Sequence, residues 1–397
     1  MKQRIFCSTL DLRDGGGVLS LVKAFNNSLK SRYDIKYFFP SRDRTDHITL
    51  KKTIKINCTI RNTDFIFEEL KCLSFGTFFP EFEFLNYLTA IKLYKKETKN
   101  YDFYMAISGF NHSAIPFVLL NLPFIVWIAS TFQEDRSRRI KTIPFRGKVY
   151  DLFSSPVVKY YEKLIFERSS KVIVTSSYTR NMILSKYPNI ESSKLIVIPY
   201  PIEAKYCSPK TASNKKIIFI ARYHDPRKNL YMLLKAFSIV VKYDPTVKLI
   251  LSGGVVTKEI QEKVRQLQIE EKIDFYGYIA EEEKLALLRD SYLFVIPSFQ
   301  EGLCIAGLEA MACGLPIVST FCGGPEDFVV QNETGLLVEN DNPEKFAEAV
   351  IEMIKDSEKT ARMGEKARQL VIEKYSWQEF NSQFLNVLGE VYGSCET

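Results

Sequence analysis

Short runs of β-branched and aromatic residues recur along this chain, separated by longer amphipathic patterns, and no other feature restricts its fold as strongly. RIFCST (4–9), IKYFFP (35–40), FYMAIS (103–108), FIVWIA (124–129), KVIVTS (171–176) and LIVIPY (195–200) predict strands in the first half. KIIFIA (216–221), VKLILSG (247–253), KIDFYG (272–277), YLFVIP (292–297) and PIVST (316–320) repeat the theme in the second. Apolar strands this short, alternating with helical periods, build βαβ units whose parallel sheet is covered by helices. The expectation is an α/β protein of two doubly wound halves.

Between the halves, PYPIEAKYCSPKTASNK is rich in Pro, Ser and charge and has no period, which places a domain boundary and hinge between residues 199 and 214. The domains expected are 1–199, 200–375 and a closing helix over 376–397. Helical patterns EKFAEAVIEMIKD and EKTARMGEKARQLVIEKY follow Pro343, and Ser376 is a suitable N-cap for SWQEFNSQFLNVLGEVY. With 397 residues, 46% hydrophobic and 25% charged, the chain can bury two cores and is not a disordered one.

A net charge of +7 suits anionic ligands or surfaces, but the basic residues are spread along the chain without a nucleic-acid motif, so no nucleic-acid partner is expected. Eight cysteines form no C-x-x-C pair, and three histidines complete no zinc spacing. Reduced thiols, a cytoplasmic enzyme and no metal are the expectations. The start, MKQRIFCSTLDLRDGGG, meets Asp11 before a signal-peptide apolar region can form. The longest apolar run, residues 114–129, is interrupted by Pro116, Asn121 and Pro123 and is too short to span a bilayer.

Ligands of doubly wound sheets collect beyond the carboxyl ends of the strands. Three loops there carry polar surprises. DLRDGGG (11–17) leads into an apolar helix, where glycines admit a ligand and free N–H groups suit an anion; a tight turn without ligand explains it equally well, and it is not the GxGxxG fingerprint. In ARYHDPRKN, Arg222 follows a strand and Lys228 is expected at the start of the next helix, where a cation opposes the dipole unless an anion binds; a solvated basic loop is the alternative. SFQEGLCIAGLEAMACG puts Glu301 in a loop beside Gly302, and Glu309 in the first turns of an apolar helix. Carboxylates there can accept hydrogen bonds from the hydroxyls of a polyol, although Glu309 can also be a solvent-facing helix residue.

The Gly-rich first loop, R-x5-K, E-x7-E, EAMACGLPIVST and GGPEDFV, in this order, resemble the retaining GT-B glycosyltransferases of family four, most strongly from Lys216 to Val338. The resemblance implies two Rossmann-like domains facing each other across a cleft. It also implies a UDP- or GDP-linked sugar donor held mainly by the second domain, a saccharide or lipid-linked acceptor held mainly by the first, and transfer with retention, without cofactor or metal. Arg222 and Lys228 would then neutralise the diphosphate, with Gly16 and Gly17 against it from the other domain. Glu309 would hold the ribose, and Glu301 with the backbone of Gly302, Leu303, Cys304 and Ile305 the sugar. The leaving phosphate, rather than a protein base, would take the acceptor proton.

One loop departs from the family. Where many members carry a histidine after the strand corresponding to FIVWIA, this chain has Ser130 and Thr131; His112, after the preceding strand, is either a substitute imidazole or a packing residue. The basic, aromatic stretch 134–153, with Arg136, Arg138, Arg139 and Lys141, is either a solvated loop or a contact for an anionic membrane surface, which would place the enzyme at the inner membrane face. A nucleotide-sugar epimerase and a noncatalytic partner subunit share the fold; R-x5-K with E-x7-E favours transfer.

Overall fold

The computed structural model describes the backbone of residues 2–41, 62–77, 83–132, 145–207 and 215–393, and their side chains except at 62 and 145–153. In the first half, β1 (Arg4–Thr9), β2 (Asp34–Pro40), β3 (Asn62–Phe67), β4 (Leu70–Phe75), β5 (Phe103–Ser108), β6 (Ile125–Ile128), β7 (Lys171–Val174) and β8 (Leu195–Val197) form one sheet in the order β3-β4-β2-β1-β5-β6-β7-β8. In the second, β9 (Lys216–Ile220), β10 (Lys248–Ser252), β11 (Ile273–Gly277), β12 (Leu293–Ile296), β13 (Ile317–Thr320) and β14 (Gly335–Val338) run in the order β11-β10-β9-β12-β13-β14. That is the doubly wound 3-2-1-4-5-6 order, with its switch point between β9 and β12. The first sheet reverses between β1 and β5.

Each predicted strand is present, most of them one to three residues shorter than its apolar run. The exception to a purely parallel first sheet is β3, which pairs antiparallel with β4 in a hairpin that the sequence pattern did not announce. Glu68 and Glu69 make its turn, with φ of 47° and 68°. Both central residues of such a two-residue turn need positive φ, and the usual Asn-Gly signal is missing here. The short β14 was also unexpected.

Alternate residues of the central strands enter opposite cores, as a pleated sheet covered on both faces requires. Ile5 and Cys7 of β1 face one cluster with Leu21, Phe25 and Trp127, whereas Phe6 faces another with Phe38, Tyr94 and Phe117. In the second sheet Ile217 and Phe219 pack on one side and Ile218 on the other. Of the boundary segment, Ile202 and Tyr206 are buried in a second-domain core, and 208–214 lies outside the described residues.

The last helix, Trp377–Tyr392, starts at Ser376, whose hydroxyl accepts from the Glu379 N–H. It returns to the first sheet. Phe384 meets Trp127 and Phe25 at ring-centroid distances of 5.4 Å each, and Tyr392 donates to the Tyr104 carbonyl at 2.8 Å. A second tie crosses between the domains where the Ser177 N–H, opening helix Ser177–Lys186, donates to Asp327 Oδ2 at 2.6 Å. No described helix is long and apolar enough to cross a membrane.

Candidate active site

Strand order brings the two switch points face to face across a cleft of about 750 Å³. From the first domain it is lined by Gly16, Gly17, Phe110 and Ser130; from the second by Arg222, Lys228, Glu301, Gly302, Leu303, Cys304, Ile305 and Glu309.

Gly15 and Gly16 have φ of +68° and +76°, so the chain turns there as only glycine does easily, and helix Gly16–Leu29 begins. Among the described residues, no heavy atom lies within 4 Å of where a Cβ would stand at Gly16 or Gly17. The glycines thus leave open space on the cleft side.

Lys228 closes a one-turn 3-10 helix, Pro226–Lys228, two residues before helix Leu230–Tyr243, and so precedes the helix at whose start it was expected. Its compensation comes from the protein. Nζ is 2.7 Å from both Glu301 oxygens, and the Ser298 hydroxyl donates to Glu301 Oε1 at 2.6 Å. Burial alone would lower the ammonium's pKa, but the acidic groups around it, Glu301 foremost with Asp225, together outweigh it and the net shift is upward. An ammonium has three donors, so one remains for a ligand after Glu301 takes two. Arg222 is 54% exposed at its side chain, pairs with Asp225 at 3.6 Å and lines the cleft. Asp225 is held by Arg227, whose guanidinium and N–H more than offset burial and keep the carboxyl well below its usual range.

Glu309 is the fifth residue of helix Ile305–Ala312 and is only 7% exposed, so it is not a solvent-facing residue. Burial pushes its carboxyl up to about 7, with the Lys284 ammonium pulling the other way at 2.9 and 3.0 Å. The same helix opens at Cys304, whose φ of +73° turns the chain, so the first N–H groups of the helix stand at the cleft wall. Desolvation pushes the partly buried Cys304 thiol well up, and it stays protonated at neutral pH.

Two predicted residues stand apart. His112 is 4% exposed, packs against Phe110 and Phe132 at ring-centroid distances of 6.0 and 5.9 Å, and is not among the cleft-lining residues; among the described residues neither ring nitrogen has a hydrogen-bond partner, and Nδ1 is 3.7 Å from Glu83. Thr131 is buried behind Ser130 and does not line the cleft either. Of the basic stretch, residues 134–144 and the side chains through 153 lie outside the described residues. Lys284, in the helix after β11, and Tyr206, in the segment joining the domains, went unpredicted, because only tertiary packing brings them to Glu309.

Residues 205–370 match the family model described as glycosyl transferases group 1. The chain is 30% identical over 234 residues to poly(ribitol-phosphate) alpha-N-acetylglucosaminyltransferase of Staphylococcus aureus, covering 58% of this chain and 46% of that protein. It is 26% identical over 262 residues to alpha-maltose-1-phosphate synthase of Mycolicibacterium smegmatis, covering 59% and 67%. The chain thus spans about half the length of the first relative and two thirds of the second. Among solved structures, sucrose-phosphate synthase from Thermosynechococcus elongatus superposes with a TM-score of 0.75 at 17% identity, over 98% of this chain and 99% of that one. Anabaena HepE in complex with UDP and glucose gives 0.71 at 17% identity, over 98% and 100%. The fold is therefore the GT-B fold, two facing Rossmann-like domains.

Proposed function

We propose that this chain, a GT-B protein whose second domain belongs to the glycosyl transferases group 1 family, transfers a sugar from a nucleotide-diphosphate donor to an acceptor hydroxyl with retention, in glycan, polysaccharide or glycolipid synthesis. The observation that carries the proposal is the convergence of Arg222, Lys228, Glu301 and Glu309 on one cleft, opposite the open glycine turn at Gly16 and Gly17. A diphosphate fits between these two cations and the N-terminus of helix Gly16–Leu29, where fixed positive charge and free N–H groups meet an anion without reorganisation.

Glu309 accepts the ribose hydroxyls. Glu301 keeps one lone-pair direction on Oε2 for a sugar hydroxyl once Lys228 and Ser298 are satisfied. As the bond from the anomeric carbon to the phosphate oxygen breaks, Arg222 and Lys228 take up the charge on the leaving group. The acceptor oxygen bonds to the same face of that carbon, and its proton passes to the departing phosphate oxygen. The diphosphate needs no metal ion in this scheme and no cofactor takes part. The Staphylococcus relative's name denotes transfer to a polymer of a phosphorylated polyol, which supports a polyol or saccharide hydroxyl as acceptor.

Incubation with a panel of UDP- and GDP-linked sugars, with NMR of the product's anomeric centre, is the test. Arg222→Ala and Lys228→Ala should each lower turnover by about two to three orders of magnitude, as for loss of one charge-stabilising donor. Folded variants that keep wild-type rates would remove the assignment.

A further inference from the structure

We infer that Lys284 is a positioning residue for the nucleotide, shared between Glu281 and Glu309 so that the position and charge of Glu309 at the cleft depend on it. The inference rests on the donor site proposed above and adds a residue to it. Lys284 Nζ lies 2.8 Å from Glu281 Oε1 and 2.9 Å from Glu309 Oε2, and its side chain is 15% exposed. Glu281 is divided in turn, accepting from the Tyr206 hydroxyl at 2.6 Å and pairing with Lys205 at 3.3 Å. The ammonium also stands 5.4 Å from the centroid of the Tyr206 ring.

Glu309 has one close cation and sits at the wall of a cleft, so its ionisation is balanced rather than fixed. The groups that act on it are Lys284 and Glu281 of helix Glu281–Arg289 and Tyr200, Lys205 and Tyr206 of the segment joining the domains, with Glu203 acting on Tyr200 and Cys313 on Tyr206. Helix Ser357–Lys374, packed behind, buries Thr360, Met363, Gly364, Ala367 and Val371, none of which titrates near neutrality. A carboxylate can accept from both ribose hydroxyls, while the protonated acid spends one oxygen as a donor. Burial holds this carboxyl near neutrality against the pull of Lys284.

Removing Lys284 therefore shifts the titration of Glu309 upward, and removing the negative Glu281 shifts it downward, because Lys284 is then undivided. UDP binding, measured by titration calorimetry between pH 5.5 and 8.5, reads this directly, with the ionisation of UDP itself common to every variant. Lys284→Met should weaken binding at pH 7 about fivefold for the first unit of upward shift, about tenfold for each further unit, and move the midpoint of the pH profile up. Glu281→Gln, at a half-exposed position that folding tolerates, should move the midpoint down. Lys284→Arg should restore the wild-type profile, and Glu309→Gln should leave only the titration of UDP. Displacements of opposite sign are not what general loosening of the fold produces. If the wild type binds UDP and both Lys284→Met and Glu281→Gln keep its midpoint, the inference is overturned and the donor site stands. If the wild type binds neither UDP nor GDP, the donor site falls and takes the inference with it.

Discussion

At Gly17 an added methyl group would meet no protein atom, and the backbone there is not in the left-handed region. Gly17→Ala should therefore fold as well as the wild type or better, since alanine favours a helix's first turn over glycine by up to about 1 kcal/mol. If the turn lies against the donor diphosphate, the same methyl group occupies the ligand's space, and the apparent donor KM should rise by at least about tenfold at an unchanged melting temperature. A variant that is stabilised and fully active would show that the glycines only make a turn. Gly16 is a poorer probe, because its φ of +76° would strain any side chain there and mix folding with binding.

Between single residues and domains, helix Phe145–Arg168 does something the sequence did not suggest, anchoring the loop that carries Ser130 and Thr131. Glu162, 1% exposed at its side chain, accepts from the Phe132 N–H at 2.9 Å, Lys186 at 2.7 Å and the Tyr187 hydroxyl at 2.6 Å. Glu162→Ala should cost about 3 kcal/mol in urea denaturation, the low end for breaking a buried pair because Lys186 keeps some water. Glu162→Met with Lys186→Met should recover much of that loss. The double variant being no more stable than the single one would mean that the carboxylate's bond to Phe132, rather than its charge, carries the effect. Elements with a strong period, such as the apolar strands and the helices after Pro343, could be recognised because burial on both faces or one face imposes that period. The β3–β4 hairpin could not, as its Glu-Glu turn carries no turn chemistry. Arg222, Lys228, Glu301 and Glu309 follow from their places at strand ends and on the helix after β12, whereas Lys284 and Glu162 act through contacts that only the folded chain creates. For His112, open in the sequence between a substitute imidazole and a packing residue, the folded chain decides for packing, since a loop position beyond a strand says nothing of which way a ring will pack.

Over the whole molecule, the cleft depends on how closely two domains approach, and Gly302 marks a point of close approach. A Cβ built there would stand 2.4 Å from the carbonyl oxygen of Ala129, at the end of β6 in the opposite domain. Backbone cannot yield as a flexible side chain does, so Gly302→Ala must push the domains apart or displace the loop that carries Glu301. The neighbouring contacts tie that loop to the rest of the interface. The Glu301 N–H donates to the Cys322 carbonyl at 2.7 Å, the Gly324 N–H donates to the Glu301 carbonyl at 2.9 Å, and Asp327 of the same turn receives the Ser177 N–H. A displacement at Gly302 therefore reaches the site and the cross-domain contact together. Each domain keeps its own core, so Gly302→Ala should leave circular dichroism unchanged while kcat/KM falls about a hundredfold, the scale for misplacing reacting groups by about 1 Å. On the proposed donor site, where the second domain supplies most of the nucleotide contacts, binding of UDP alone should fall far less. Asp327→Asn, which weakens the acceptor for Ser177 without adding bulk, should lower kcat/KM in the same direction and to a smaller extent. Equal losses in nucleotide binding and in turnover for Gly302→Ala would locate the damage in the donor loop itself, and wild-type turnover would mean that the two domains do not need this approach to react.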